Sequence, residues 1–141
     1  MLLALKSFVM LTKLHPILVN FTAALVPISL ASDAAAIRLK RASLRDTGWW
    51  TLLYAACLTP FTAIAGWLFW MKDDNGVSGM AIHKWLGTGL VLLLAGLFLW
   101  RRGFQRRGAW VSGAYLAAGL VLLILLVIQG HLGGTQTYSG M

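Results

Sequence analysis

Residues 109–129, AWVSGAYLAAGLVLLILLVIQ, contain no charged side chain. At about 1.5 Å per residue, a helix of that length spans the roughly 30 Å hydrocarbon core of a bilayer. Three runs of similar character precede it, at residues 16–37, 48–71 and 82–100. With lipid as solvent, backbone N–H and C=O groups must pair within their own segment, so each run is read as a helix. The 141-residue chain is 59% hydrophobic with a mean hydropathy of +0.76. That is more apolar surface than so short a chain hides in a core of its own. The expected class is therefore all-α, an up-down bundle of four transmembrane helices whose short loops make sequence neighbours antiparallel.

Residues 14–141 form this membrane domain. Residues 1–13, MLLALKSFVMLTK, mix Leu2, Leu5, Phe8, Val9 and Leu11 with Lys6 and Lys13, which suits a short helix lying on the membrane surface. The stretch lacks a basic start and an A-x-A site, so a removable signal peptide is not expected.

The net charge of +8 is unevenly placed. RLKRASLRD, residues 38–46, carries Arg38, Lys40, Arg41 and Arg45, and RRGFQRR, residues 101–107, carries Arg101, Arg102, Arg106 and Arg107. These eight fall on one side of the membrane. The other side has Lys6, Lys13, Lys72 and Lys84, offset by Asp73 and Asp74. By the positive-inside rule both basic loops are cytoplasmic. Both termini and KDDNGVSGM, residues 72–80, then face the periplasm of a bacterial inner membrane. The charge reads as a topology signal and not as a nucleic-acid footprint. The expected partners are the bilayer and a redox partner or larger membrane complex, with no nucleic acid and no nucleotide.

Local signals set the expected boundaries. Pro16 suits the first turn of helix one, Asp46 or Thr47 can cap helix two, and Gly130, Gly133 and Gly134 stop helix four. Gly113 with Ala117, and Ala114 with Ala118, give helix four a small-residue stripe for close helix packing. Cys57 is the single cysteine and, mid-span, reads as a small buried apolar residue. Asp33 is expected to pair with Arg38 or Arg41, or to hold its helix end.

Three histidines follow the topology to one depth. His15 opens helix one, His83 opens helix three, and His131 follows helix four, all at the outer boundary. Taken singly, each reads equally well as a water-facing interfacial residue. Together they form a candidate ligand set, because neutral imidazole is the commonest biological metal ligand and bundle cores house haems and metals. The chain has no glutamate and four aspartates, which excludes a carboxylate-rich di-iron centre. The leading expectation is a b-type haem held by His83 and His131, on neighbouring helices, passing electrons at the outer face. Gly87, one turn below His83, would leave room for a macrocycle edge, and Lys84 would sit near the propionates. His15 would stand behind them or replace one. One depth means one haem, which cannot carry electrons alone across about 30 Å. The alternatives are a zinc or copper site formed by His15, His83 and His131, or a non-catalytic accessory subunit of a respiratory or photosynthetic complex. No nucleophile–base pair is legible, so an electron-transfer or accessory role is expected over a stand-alone enzyme.

Residues 14–21, LHPILVNF, the histidine opening helix three, Asp33, and the C-terminal GHLGG…Y.G resemble the DUF2231 family of small bacterial four-helix membrane proteins. The resemblance covers nearly everything from Leu14 onward. Some relatives are joined to Rieske or c-type cytochrome domains, which implies a redox setting at the outer face. The family pattern near the start is similar to HP.LVHF, with a second histidine where this chain has Asn20. That departure excludes a tetra-histidine site here.

Overall fold

The computed structural model describes the backbone of residues 2–72 and 78–138, and the side chains of residues 15–68 and 81–134. It contains four helices: α1 (Leu2–Leu39), α2 (Ala42–Lys72), α3 (Ser78–Arg106) and α4 (Gly113–Tyr138). Within them lie four stretches long and apolar enough to cross a bilayer: His15–Leu39, Ala42–Leu68, Ala81–Arg106 and Gly113–Gly134. The outward surface is hydrocarbon-like on every helix, with Phe21, Phe61, Leu92 and Ile124 each more than half exposed. A bilayer is the environment in which such a surface is stable.

The helices form a ring. The α1–α2 contact is by far the most extensive, α2–α3 and α3–α4 are similar to each other, and α4 closes against α1 through the smallest contact. Each helix turns one seam inward at alternating spacings of four and three, the pattern of bundle packing. On α1 the seam runs His15, Thr22, Val26, Ser29 and Asp33; on α2, Gly48, Leu52, Ala55, Thr59, Thr62 and Gly66. On α3 it runs His83, Gly87, Leu90, Leu94, Leu97 and Arg101; on α4, Tyr115, Gly119, Leu122, Leu126, Gln129 and Gly133. The middle layers of α3 and α4 are leucine. The α1–α2 seam is small and polar instead: Ser29 Oγ donates to the Gly48 carbonyl at 2.7 Å, and the Thr22 and Thr59 hydroxyls lie 3.4 Å apart. Small side chains let these two backbones approach closely. Leu30 of α1 inserts its branched end against Gly119 of α4.

Several expected boundaries move. Helical backbone runs unbroken from Leu2 to Leu39 with Pro16 and Pro27 inside it, so no break separates residues 2–13 from the span that follows. α2 starts at Ala42, which places Asp46 and Thr47 within the helix. Thr47 spends its hydroxyl on the Ser43 carbonyl one turn back, at 3.0 Å. α3 continues through most of RRGFQRR to Arg106. α4 begins later than residue 109 and runs on through Gly130, Gly133 and Gly134, because apolar packing outweighs the helix cost of glycine.

The α3–α4 connection explains the late start. Gly108 adopts φ 62°, a left-handed conformation glycine takes without Cβ strain. Its N–H bonds the Gln105 carbonyl at 3.1 Å while Ala109 N–H bonds Phe104 at 3.0 Å, the paired bonds of a Schellman cap. Ser112 then caps α4, its hydroxyl accepting from the Tyr115 N–H at 3.2 Å. Of the Gly113/Ala117 and Ala114/Ala118 stripe, only Ala118 packs against the core, while Gly113, Ala114 and Ala117 face outward. Cys57 is exposed on the hydrocarbon-facing side rather than buried.

Candidate functional site

The bundle has a polar layer at each end of its inward seams. At the end where α1 and α3 enter the described region, His15 and His83 point at each other across the diagonal. Their ring centres lie 6.4 Å apart with planes at 85°. Glycines make the space: a Cβ on Gly66 of α2 would lie 2.8 Å from His15 Cε1, and one on Gly133 of α4 would lie 2.8 Å from His83 Cε1. His15 Nδ1 sits 2.9 Å from the Thr62 carbonyl. A carbonyl can only accept, so Nδ1 carries the proton and Nε2 keeps a free lone pair.

His83 is held by Gln129, whose amide nitrogen donates to the His83 carbonyl at 2.9 Å and lies 3.3 Å from His83 Nε2. With both amide protons so directed, Nε2 is the acceptor and Nδ1 is protonated. Among the described residues, His83 Nδ1 and Gln129 Oε1 are both buried without a hydrogen-bond partner. Around this layer Trp67 donates its indole N–H to Thr88 at 3.1 Å, and the Lys84 ammonium lies 4.3 Å from the Trp67 ring centre.

At the opposite end, Asp33 of α1 and Arg101 of α3 form a two-pronged ion pair. Arg101 Nε donates to Asp33 Oδ2 at 2.9 Å and Nη2 to Oδ1 at 3.0 Å, with side-chain exposures of 0% and 1%. Nη2 also donates to the Arg45 carbonyl at 2.8 Å, and Nη1 to Gln105 at 3.2 Å. Here too a glycine admits the large group, a Cβ on Gly48 falling 2.5 Å from Asp33 Oδ1. The buried Tyr115 hydroxyl lies against the same pair without a well-aligned hydrogen bond.

A family model described as a predicted membrane protein, DUF2231, matches residues 12–140. The chain belongs to the DUF2231 family. Searches of curated proteins and of solved structures returned no match.

In this DUF2231 protein the sequence-derived site residues separate. His15 and His83 come together; His131 is exposed and does not join them. The reason is helical phase. Gln129 and Gly133, four residues apart, both face His83, and His131 lies midway between them, about 200° round the helix from either. Equal depth did not imply equal direction. Among the described residues no group of three or more His, Cys, Asp or Glu is placed to hold a metal ion. The space expected beside Gly87 is taken by the Gln129 amide, which would lie 2.8 Å from a Cβ there. Lys84 stacks on tryptophan at the edge of the histidine layer. Asn20, where the family pattern has a histidine, is exposed and away from the pair. Asp33 binds neither Arg38 nor Arg41 but Arg101, because helix α3 carries that arginine inward on its seam. Sequence reading missed Gln129, Thr62, Gly66, Gly133 and Arg101. The signal for all five was their place in the four-and-three spacing.

Proposed function

We propose that this protein is a membrane-embedded haem protein in which His15 and His83 would hold the group, passing electrons at the histidine end. The observation that carries this reading is the convergence of those two imidazoles. Their ring centres stand 6.4 Å apart with planes at 85°. Two imidazoles with no third His, Cys, Asp or Glu grouped beside them among the described residues would suit a haem, whereas catalytic zinc takes three protein ligands.

A bound haem would supply one-electron chemistry, its potential set by axial ligands and burial. The chain's own residues do the positioning. The Thr62 carbonyl fixes the His15 ring and leaves Nε2 as the donor, the outer-shell arrangement typical of ligating histidines. Gly66 and Gly133 admit the two rings. Gln129 fixes the His83 backbone through the His83 carbonyl and directs its amide at His83 Nε2, the nitrogen that would have to be freed to hold the group. The leucine layers of α3 and α4 keep water from the other side.

The test is the visible spectrum of the detergent-purified protein, air-oxidised and then dithionite-reduced. The expected result is sharp reduced bands of a six-coordinate b-type haem in the wild type and in His131→Ala, with loss of those bands in His15→Ala and in His83→Ala. A colourless protein from haem-replete cells overturns the reading, as do bands that survive in both His15→Ala and His83→Ala.

A further inference from the structure

The basic end carries more charge than its ion pair uses. Arg38 and Lys40 are exposed, and among the described residues neither lies within ion-pair distance of a carboxylate; Asp33 is taken by Arg101 and Asp46 faces Arg45 at 3.8 Å. Beside them α1 and α4 make the smallest contact of the ring, and an apolar cleft of about 430 Å³ opens there toward the bilayer. Pro27, Ala31 and Ala34 form its α1 wall; Leu116, Leu120 and Leu123 form its α4 wall. The α1 wall is a stripe at spacings of four and three, and the next position along it is Arg38. At about 1.5 Å per residue the wall is about 10 Å long, and Arg38 stands about 6 Å beyond it. Lys40 caps the same corner, its ammonium 5.9 Å from the ring centre of Trp110, which lies just before α4. Tryptophan at that height belongs at the headgroup level.

We propose that this cleft binds one anionic phospholipid, with an acyl chain between α1 and α4 and the phosphate held by Arg38 and Lys40. The stacking order decides the occupant. A purely apolar molecule would use the cleft and ignore the cations. A soluble phosphate would use the cations and ignore the cleft. A phospholipid places its phosphate above its chain in the order the wall presents. The further basic charge of Arg41, Arg102, Arg106 and Arg107 at this end favours a net-negative headgroup over a zwitterionic one.

Native mass spectrometry of the full chain in neutral detergent, titrated with phosphatidylglycerol or phosphatidylcholine, tests this. One phosphatidylglycerol should remain bound at concentrations where phosphatidylcholine does not. The double variant Arg38→Gln/Lys40→Gln should weaken that binding about 10- to 30-fold, the effect of two headgroup-level cations. Ala31→Leu, which fills the outward-facing cleft and keeps every charge, should also weaken it. Arg102→Gln/Arg106→Gln removes the same charge from the same end and should change it by less than about threefold. Equal losses from the two charge variants would reduce the site to diffuse surface attraction. Unchanged binding in Ala31→Leu, or equal retention of both lipids, would also overturn the proposal.

Discussion

The two ends of the bundle share one plan and differ in pairing. In each, α1 and α3 send large polar groups across the diagonal, and a glycine on α2 makes room for the group from α1. At the basic end the ion pair itself is closed, since all three guanidinium nitrogens of Arg101 donate and both Asp33 oxygens accept, while the neighbouring Tyr115 hydroxyl and Arg45 Nε are buried without a hydrogen-bond partner among the described residues. At the histidine end no such ion pair forms, and His83 Nδ1 and Gln129 Oε1 are buried and unpaired among the described residues. An unmade hydrogen bond on a buried group costs about 1–3 kcal/mol. Each end carries two such groups, so their number does not distinguish the two layers. Burial of polar atoms is therefore not what separates the two layers. Pairing separates them: Asp33 and Arg101 bind each other, whereas His15 and His83 are each held by a neighbour, Thr62 and Gln129.

The largest test of that contrast is removal of one member of the closed pair. Arg101→Ala strands the Asp33 carboxylate in an apolar interior, and loss of a partner from a buried pair costs about 3–5 kcal/mol. Unfolding in mixed detergent should register that loss, and Asp33→Ala a similar one. The double variant Asp33→Ala/Arg101→Leu should recover much of the stability, because no uncompensated charge remains. If instead the two single costs add in the double variant, the pair is not acting as a unit. His83→Ala should cost clearly less, since it removes a group that is half-buried and only partly bonded.

The glycines give the next smaller effect. Gly48→Ala pushes a methyl into Asp33 and the Ser29 carbonyl, one of them backbone, and overpacking of this kind costs about 1–3 kcal/mol. Gly133→Ala meets only the edge of the His83 ring. It should cost less stability yet alter the spectrum of any haem bound through His83. Equal stability losses at the two glycines, with no spectral change at the second, would mean both ends are purely structural.

How much of this the sequence revealed depends on the scale asked about. Hydropathy alone gave the four spans, because a lipid-facing surface must be apolar on every helix whatever lies inside. The basic clusters did share one end, although Arg101 belongs to the interior and not to a solvated loop. Helix ends were misjudged wherever one residue type was given a fixed meaning. Glycine stops a helix only if nothing packs beyond it, and Gly133 is packed against His83. The histidine site was half legible: depth follows from topology, but direction follows from the four-and-three register. His15 and His83 hold that register, and His131 and Asn20 do not. The register was hard to see because its positions on α1 and α2 are threonine, serine, alanine and glycine, with little hydrophobic contrast against their neighbours.

The smallest effect is also the one that most sharpens the comparison. His131 and Gln129 stand two residues apart at one membrane depth, so any property set by depth alone must treat them alike. Phase treats them oppositely. His131→Ala, on the exposed side, should change stability by no more than about 0.5 kcal/mol, as surface substitutions do. Gln129→Ala removes the donor to the His83 carbonyl and the contact at Nε2, and a lost buried hydrogen bond costs about 1–3 kcal/mol. The same substitution removes the orphan Oε1, which moves its net cost toward the lower end of that range. If His131→Ala proved the more damaging of the two, α4 would have to be turned by roughly half a revolution from the phase described here. The layer of His15, Gly66, His83 and Gly133 would then not exist.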